Sequence, residues 1–370
     1  MNNGFSSWVQ TASDWLWGPP MLSLVLGVGV YLLFRLRVIQ VRDLTRAVRD
    51  LRKGHSTESS GDISPFAALM TAIGGVVGNG NIAGVATAIT AGGPGALFWM
   101  WVSGFVGMGT MFAESALGLR YRHRGSDGLM LGGPMYYLRD ALGWRFLAAL
   151  FALGMAVKTL LATTTVQSNS IALIAQSELG LSPWLTCSLL AIVTASVVLG
   201  GVRSIASVSE ILAPVMGVLY LVGAIGVLLA FSDQILPALR LVVSHAFSPI
   251  AATGGFLGAG VRQAFRFGIA RGVYSNEAGQ GSAPIAHAAA KTDEPVSEGV
   301  VALLEPFIDT IVICTATALV VITTGYYAPD FSDSLGGIEM TSAAFERVAS
   351  WAPIPLALAL KISLPVKRSS

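Results

Sequence analysis

The sequence predicts an all-α polytopic membrane protein that forms a single transmembrane domain over residues 1–370. Hydrophobic residues make up 53% of the chain and charged residues only 12%, whereas an ordinary soluble domain has about 25% charged residues. The apolar residues are gathered into runs that are long enough to cross a bilayer as helices. Both cysteines lie inside such runs, so the sequence predicts no disulfide framework.

We predict nine apolar segments in this domain. They lie near residues 19–38, 65–90, 94–119, 145–176, 183–201, 205–231, 250–285, 299–324 and 341–362. Lys and Arg are concentrated in the odd-numbered connections, and above all between Arg35 and Lys53. Because cytoplasmic loops carry an excess of basic residues, we expect residues 39–64 to form a cytoplasmic connector and residues 1–20 an extracytoplasmic N-terminus. The first connection also has the composition of a basic amphipathic helix on the membrane surface.

The second segment is interrupted in its middle. Residues 74–81 read Gly-Gly-Val-Val-Gly-Asn-Gly-Asn, with apolar sequence on both sides. Backbone that leaves the helix at membrane depth is tolerated only where it lines a cavity or is buried in protein. In secondary transporters such breaks direct N–H groups at an anionic substrate and carbonyl groups at a coupling cation.

The seventh segment is interrupted as well, by the polar residues 275–282 and by glycines before them. Polar residues within an apolar span are costly unless they face a cavity or find partners. The two interrupted segments are five apart, which is the spacing of an inverted repeat of five helices plus five with one extra helix in front. Close contact between helices through glycine is the alternative explanation for either break alone.

Four stretches carry a resemblance to a known family. They are GNGNIAGVATAITAGGPGALFWMW at 78–101, GGPMYYL at 132–138, RGVYSNEAGQGSAPIAHAAAKTDEP at 271–295 and EPFIDTIVICTATALV at 305–320. In these strings the chain resembles the alanine or glycine:cation symporters, also called sodium:alanine symporters. The resemblance implies a LeuT-like inverted-repeat fold with one extra N-terminal helix. It also implies Na⁺-coupled symport of alanine or glycine across the bacterial inner membrane by alternating access.

A zwitterionic amino acid needs donors for its carboxylate and acceptors for its ammonium group. The amides of residues 79–81 open the outer half-helix of the second segment, where free N–H groups and the helix dipole favour an anion. Family members commonly carry threonine in place of Asn79. The difference is tolerable if only the backbone amide contacts the substrate, whereas a side-chain contact there would alter selectivity. The predicted substrate-binding residues are Gly78, Asn79, Gly80, Gly268, Ile269, Ser275 and Asn276. Satisfying the free backbone ends of the break is the alternative role of Ser275 and Asn276.

Sodium ligands are implied by the resemblance to LeuT-type transporters. The carbonyl oxygens of Gly74 and Val77 are candidates for one Na⁺, and the side-chain oxygen of Asn81 for a second. Neutral carbonyl and amide oxygens suit this hard cation without holding it irreversibly. Na⁺ is the coupling ion, and we predict no cofactor and no nucleic-acid partner.

Charged residues within apolar segments usually mark an ion path or a buried partner. Glu305 and Asp309 are spaced i, i+4, and we expect them to form a gate or an ion-pair network together with Arg271 and Glu277. An ion-pair network is favoured over direct ligation of Na⁺. The natural counter-ions and the other buried charges expected to find partners or helix ends are Arg262, Arg266, Arg271, Glu114, Lys158 and Glu210.

The resemblance fades after about Phe345, and no helix with a Ser-Thr pair and a following Trp comes next, as it does in family members. We therefore interpret the chain as C-terminally truncated, with an incomplete second repeat. The alternative to a working symporter is a transport-inactive remnant or an interaction partner of an intact paralogue. The sequence argues against an enzyme, because it contains no nucleophile–base motif or paired catalytic acids. Oligomeric state and the choice between alanine, glycine and a D-amino acid stay open.

Overall fold

The computed structural model describes residues 3–53, 59–247, 260–328 and 337–348. These ranges are mostly helical, which confirms the predicted all-α class. We number as one helix those that continue through a π-helical turn. The helices are α1 (Asn3–Leu16), α2 (Pro19–Arg35), α3 (Ile39–Arg42), α4 (Leu44–Lys53), α5 (Pro65–Val76), α6 (Gly80–Gly92), α7 (Ala96–Arg120), α8 (Pro134–Asp140), α9 (145–179), α10 (Pro183–Val198), α11 (Gly201–Ala230), α12 (Ser232–Phe247), α13 (Val261–Asn276), α14 (Ala283–His287), α15 (Pro295–Thr323) and α16 (Gly337–Glu346). Two short strands, β1 (His123–Arg124) and β2 (Met130–Leu131), pair antiparallel.

Several of these helices are long and apolar enough to cross a membrane. Four qualify individually, α7, α9, α11 and α15, and the bent pair α5–α6 makes a fifth. The helices follow the predicted segments in order, although residues 250–259 and 349–362 of two segments lie outside the described ranges. We had not predicted α12, which carries Pro237 in its interior and follows α11 almost directly.

The first predicted break is present between α5 and α6. Ser64 accepts a hydrogen bond from the Ala67 amide, so α5 begins with a capped N-terminus. It ends at Val76, because Val77 takes an extended backbone with φ −69° and ψ 119°. The chain becomes helical again at Gly80 through a π-helical turn, and the two helix axes differ by 53°.

Helix α7 lies against the second half of the chain and packs on α13, α14 and α15. Glycines on α7 permit this close packing. A Cβ at Gly104 would lie 2.9 Å from Thr310 Cγ2, and one at Gly118 would lie 2.8 Å from Pro284 Cβ. Small residues of this kind let membrane helices approach closely without unfilled space.

The second break follows α13. This helix ends at Asn276, and Glu277 adopts a left-handed backbone with φ 53°. Gly279 and Gly281 also have positive φ angles, of 86° and 75°, which glycine adopts without strain. The polar residues 277–282 therefore form a turn between α13 and α14, at the position where the sequence predicted an interruption.

The connector between α2 and α5 contains helices α3 and α4. Arg37 and Val38 adopt left-handed backbones, with φ angles of 52° and 54°, and turn the chain after α2. Ala47 of α4 is fully buried, and Leu44 and Leu51 pack against the main hydrophobic core. The connector is thus folded onto the transmembrane helices.

Arg122, two residues after α7, joins the chain ahead of the first break to the chain that follows the second. Its guanidinium donates hydrogen bonds of 2.7–2.9 Å to four carbonyl groups, those of Ser60, Ala288, Ala290 and Thr292. Burial lowers the pKa of this guanidinium below its usual value, and the nearby carboxylate of Asp293, 3.5 Å away, offsets only part of this effect. We call this arrangement the Arg122 clasp.

Candidate functional site

The two helix breaks meet at one place in the molecule. A Cβ on Gly80, the first residue of α6, would lie 3.2 Å from the Cα of Ser275 in the last turn of α13. On α7, a Cβ at Gly107 would lie 3.0 Å from the Cβ of Ala278. Glycine at position 80 lets the first break approach the last turn of α13, and glycine at position 107 lets α7 approach the second break.

Asn81 and Asp309 form the centre of a buried polar cluster at this contact. The Asn81 Nδ2 donates to Asp309 Oδ1 at 2.6 Å and to the Asp309 carbonyl oxygen at 3.1 Å. The Asn81 Oδ1 accepts from the Gly78 amide at 2.9 Å. Both side chains are fully buried. This pair connects the first break to α15.

The other carboxylate oxygen of Asp309 is bonded from the second break. Ser275 Oγ and Thr310 Oγ1 each donate to Asp309 Oδ2 at 2.8 Å. Asn276 Nδ2 in turn donates to Thr310 Oγ1 at 3.0 Å. Every hydrogen-bond donor to this carboxylate is neutral, and no described residue forms an ion pair with it. A buried carboxylate with no counter-charge is unfavourable until it takes up a proton or a cation.

A pocket opens beside the first break. Its lining comes from the first break, from α9 and from the second break: Gly75, Val76, Asn79, Gly80, Lys158, Thr163, Val166, Gln167, Tyr274, Glu277 and Gln280. Asn79 is fixed to α9 at two points. Its amide donates to Gln167 Oε1 at 3.4 Å, and its side-chain oxygen accepts from Ser170 Oγ at 2.9 Å.

An ion pair joins α9 to the second break along the wall of this pocket. Lys158 Nζ lies 3.1 Å from Glu277 Oε1 and donates to Gln280 Oε1 at 2.7 Å. Ser282 Oγ donates to the second carboxylate oxygen of Glu277. The partner of Glu277 is therefore a lysine of α9, and Lys158 has the partner that the sequence analysis expected for it.

The predicted counter-ions of the two acids on α15 need correction. Asp309 is bonded by neutral groups only, as described above, and not by an arginine of α13. Glu305 is fully buried with its Oε2 3.9 Å from the Nε2 of His287. The Arg271 guanidinium lies over the ring of Tyr274, 5.7 Å from its centroid. The arginines of α13 project from other faces of that helix, which the spacing of charges alone did not reveal.

Two predicted substrate-binding residues, Gly268 and Ile269, lie outside the lining of the pocket. A Cβ on Gly268 would lie 2.4 Å from the carbonyl oxygen of Ala96 and 2.6 Å from the Cβ of Trp99. Ile269 is fully buried in a cluster with Leu22 and Val273. Both residues therefore serve helix packing in the structure, because the turn of α13 that reaches the pocket comes later, at Tyr274.

We expect Gly268→Ala to destabilise the protein by about 1–3 kcal/mol, as overpacking of a filled contact does. The clash is with the main chain of α7, which cannot move aside as a side chain can. The melting temperature in detergent should fall, while surviving protein should keep the affinity for alanine that the family resemblance implies. Gly217→Ala, where the added methyl group meets nothing within 4 Å, is the matched control. A weaker affinity for alanine without loss of stability would instead place Gly268 at the substrate.

Gln167 and Ser170 were not singled out from the sequence, although they hold Asn79. The feature of the sequence that could have indicated them is the polar run Gln167-Ser168-Asn169-Ser170 within the apolar fourth segment. No spacing rule connects that run to the first break, so only the hydrogen bonds of α9 to Asn79 identify it.

Comparisons with known proteins place this chain among transporters. The model of the sodium:alanine symporter family matches residues 2–363. An uncharacterized transporter of Haemophilus influenzae is 42% identical over 91% of this chain and 73% of the relative. A sodium/alanine symporter of Methanococcus maripaludis is 44% identical over 92% of this chain and 76% of the relative. A probable sodium/glutamine symporter of Bacillus subtilis is 39% identical over 93% of this chain and 70% of the relative.

Proposed function

Because this chain belongs to the sodium:alanine symporter family, we propose that it couples the uptake of alanine or glycine to Na⁺ by alternating access. Membership of the family makes the chain a multi-pass membrane transporter and not an enzyme, and it supports cation-coupled symport of an amino acid. The observation that carries the proposal of Na⁺ coupling concerns Asp309, which lies between the two breaks. Its buried carboxylate accepts hydrogen bonds from neutral groups of both breaks.

We propose that one Na⁺ binds between Asn81 and Asp309. Without the cation, the Asn81 amide hydrogens face the carboxylate. Na⁺ would take their place as the partner of Asp309, and the amide could then turn its oxygen to the ion. The cation would remove the unbalanced buried charge, which gives it a reason to bind at this depth. Asp309, expected from the sequence in an ion-pair network, thereby becomes a sodium ligand.

A second Na⁺ would bind the carbonyl oxygens of Gly74 and Val77. In an unbroken helix the Gly78 amide would bond Gly74 and the Asn81 amide would bond Val77. Here the Gly78 amide donates to the Asn81 side chain, and the Asn81 amide donates to the Gly78 carbonyl at 3.1 Å. The break thus leaves both carbonyl groups available to a cation.

The amino acid would occupy the pocket between the first break and α9. Its carboxylate fits the N-terminal end of α6, at Gly78, Asn79 and Gly80, where the helix dipole favours an anion. The amides of Gly78 and Asn79 would exchange their bonds to Asn81 and Gln167 for bonds to this carboxylate. Ser275 and Asn276 lie directly behind this point in the polar cluster. Glycine at positions 75 and 80 and valine at 76 and 166 give the pocket small apolar walls, which suit a methyl or hydrogen side chain.

The architecture that goes with this proposal is a LeuT-like inverted repeat within one transmembrane domain spanning residues 1–370. Its setting would be the bacterial inner membrane, with the N-terminus outside. The position of the two breaks, in the second and seventh segments and in mutual contact, supports the repeat. The basic connector with α3 and α4 would then face the cytoplasm.

The direct test is uptake of radiolabelled alanine into proteoliposomes that contain the purified chain. Accumulation driven by an inward Na⁺ gradient, and competed by glycine, is the expected result. Equal uptake with an inward K⁺ gradient would contradict Na⁺ coupling. Absence of uptake with either gradient, from a correctly inserted chain, would contradict transport by this chain.

Gln167→Ala should raise the alanine concentration for half-maximal uptake by about tenfold, equal to about 1.4 kcal/mol of binding free energy. Gln167 bonds the amide of Asn79 and lines the pocket, so its loss removes part of the pocket wall and the side chain that positions Asn79. Gln176→Ala, on an exposed position of the same helix, should leave the concentration dependence unchanged. Equal effects from both variants would contradict the proposal that the α9 wall of the pocket contacts the substrate.

A further inference from the structure

A group of arginines on the connector has no partner within the described protein. The connector and the end of α2 carry five exposed arginines, namely Arg35, Arg37, Arg42, Arg46 and Arg49. Arg42 pairs with Asp43 at 2.8 Å and Arg46 with Asp50 at 3.2 Å. The guanidinium groups of the other three, Arg35, Arg37 and Arg49, make no hydrogen bond or ion pair with any described residue. We call these three the arginine cluster.

The arginine cluster is carried by backbone that is held in place. Ile39 and Ala47 are buried on the core side of the connector. Asp50 of α4 accepts a hydrogen bond from Ser297 Oγ, in the first turn of α15, at 3.3 Å. The left-handed turn at Arg37 and Val38 sets the direction in which the chain leaves α2. The three guanidinium groups therefore extend from a docked element and not from a loose tail.

An exposed apolar stripe leads along α2 directly to this cluster. Leu24, Val28, Tyr31 and Phe34 are spaced at helical intervals and are 65%, 44%, 63% and 73% exposed. Exposed apolar side chains continue between the arginines at Val41, which is 67% exposed. Apolar residues that face lipid and end in arginine place that arginine at the level of the phosphate groups.

We propose that the arginine cluster binds the phosphate headgroup of an anionic phospholipid at the end of α2. Three uncompensated cations supply the charge, and the guanidinium group bonds phosphate oxygens in a planar fork. The stripe on α2 offers an apolar surface for the acyl chains. Neither a soluble anion nor a nucleic acid would use that stripe, so the observations favour a membrane lipid. The bound lipid would hold α4 against α15, the helix that carries Asp309.

The test is native mass spectrometry of the full chain, purified after exchange into mixed micelles of phosphatidylglycerol and phosphatidylcholine. The wild-type chain is expected to retain phosphatidylglycerol in preference to phosphatidylcholine. The triple variant Arg35→Gln, Arg37→Gln and Arg49→Gln should lose this preference, at about fivefold for each arginine removed. A second triple variant, Arg145→Gln, Arg240→Gln and Arg262→Gln, removes the same charge from other exposed positions and should retain the lipid.

Three results would overturn the proposal. They are no preference for phosphatidylglycerol in the wild-type chain, an unchanged preference in the first triple variant, and an equal loss in both variants. The last result would mean that overall charge attracts the lipid and that no site exists. All substituted residues are exposed, and an unchanged melting temperature in phosphatidylcholine micelles would confirm that each variant is folded. The test measures binding alone, so it stands whether or not the proposed symport is correct.

Discussion

Asp309→Asn is expected to raise sharply the Na⁺ concentration that alanine uptake requires. The substitution keeps the size of the side chain but removes the negative charge that would balance the proposed ion. The described groups that bond Asp309 are all neutral. We expect the Na⁺ concentration for half-maximal uptake to rise by at least about 100-fold, which corresponds to about 2.8 kcal/mol. The measurement is initial uptake into proteoliposomes as a function of external Na⁺.

A second measurement on this variant is independent of transport. A ligand that binds only the folded state raises its stability, so Na⁺ should raise the melting temperature of the wild-type chain and not that of Asp309→Asn. Glu298→Gln is the matched control, because Glu298 is equally buried and lies earlier on α15. It should keep the response to Na⁺. A wild-type response in Asp309→Asn would show that its carboxylate is not a ligand.

Reversing the charge of either Lys158 or Glu277 is expected to reduce the rate of uptake by at least about tenfold, which corresponds to an increase of about 1.4 kcal/mol in the activation free energy. The pair bridges α9 and the second break along the wall of the pocket, at 3.1 Å. A lone reversal places like charges together in a partly buried site, which opens the wall of the pocket. Combining Lys158→Glu with Glu277→Lys restores opposite charges and should recover most of the lost uptake.

The control for this exchange is the exposed pair Arg139–Asp140, at 2.6 Å on α8. Hydrogen bonds from Arg139 and His123 lower the pKa of Asp140 to about 2, so the pair stays ionised under the conditions of the assay. Exposed ion pairs contribute little to stability, and the same reversals there should leave uptake unchanged. If the double reversal at 158 and 277 transports no better than either single one, the ion pair itself is not what the pocket requires.

The two breaks were predictable because local chemistry specifies them. The run of glycine and asparagine at 74–81 weakens the helix, which is interrupted at Val77 and Gly78. The polar residues after Asn276 interrupt the second helix in the same way. Helix α12 was missed for the opposite reason. Its sequence includes Asp233, Gln234, Arg240 and His245, so it has no apolar run of membrane length. Its buried face is limited to Ala238, Val242 and Ala246, which are spaced at helical intervals.

The sequence identified the polar residues of the candidate site but not which of them contact one another. The spacing of Glu305 and Asp309 shows that they share a helix face, but not which helix faces them. Asn81 and Ser275 occupy that position, and Arg271 stacks on Tyr274 instead. The same limit explains Gly268 and Ile269. Periodicity gives the faces of α13, whereas the assignment of one face to α7 and another to the pocket depends on tertiary packing.

The Arg122 clasp has a consequence for how freely this part of the sequence can vary. All four of its acceptors are main-chain carbonyl oxygens, which every amino acid possesses, so the bonds themselves do not depend on the side chains of Ser60, Ala288, Ala290 and Thr292. Burial of Ala288, Ala290 and Thr292 restricts these three positions to residues of similar size. Arg122 cannot, because lysine offers one ammonium group in place of a fork of donors. Gly61 cannot either, since its φ is 148° and a Cβ there would lie 2.4 Å from the carbonyl oxygen of Ala290. Substitutions should accumulate around these two positions and spare them.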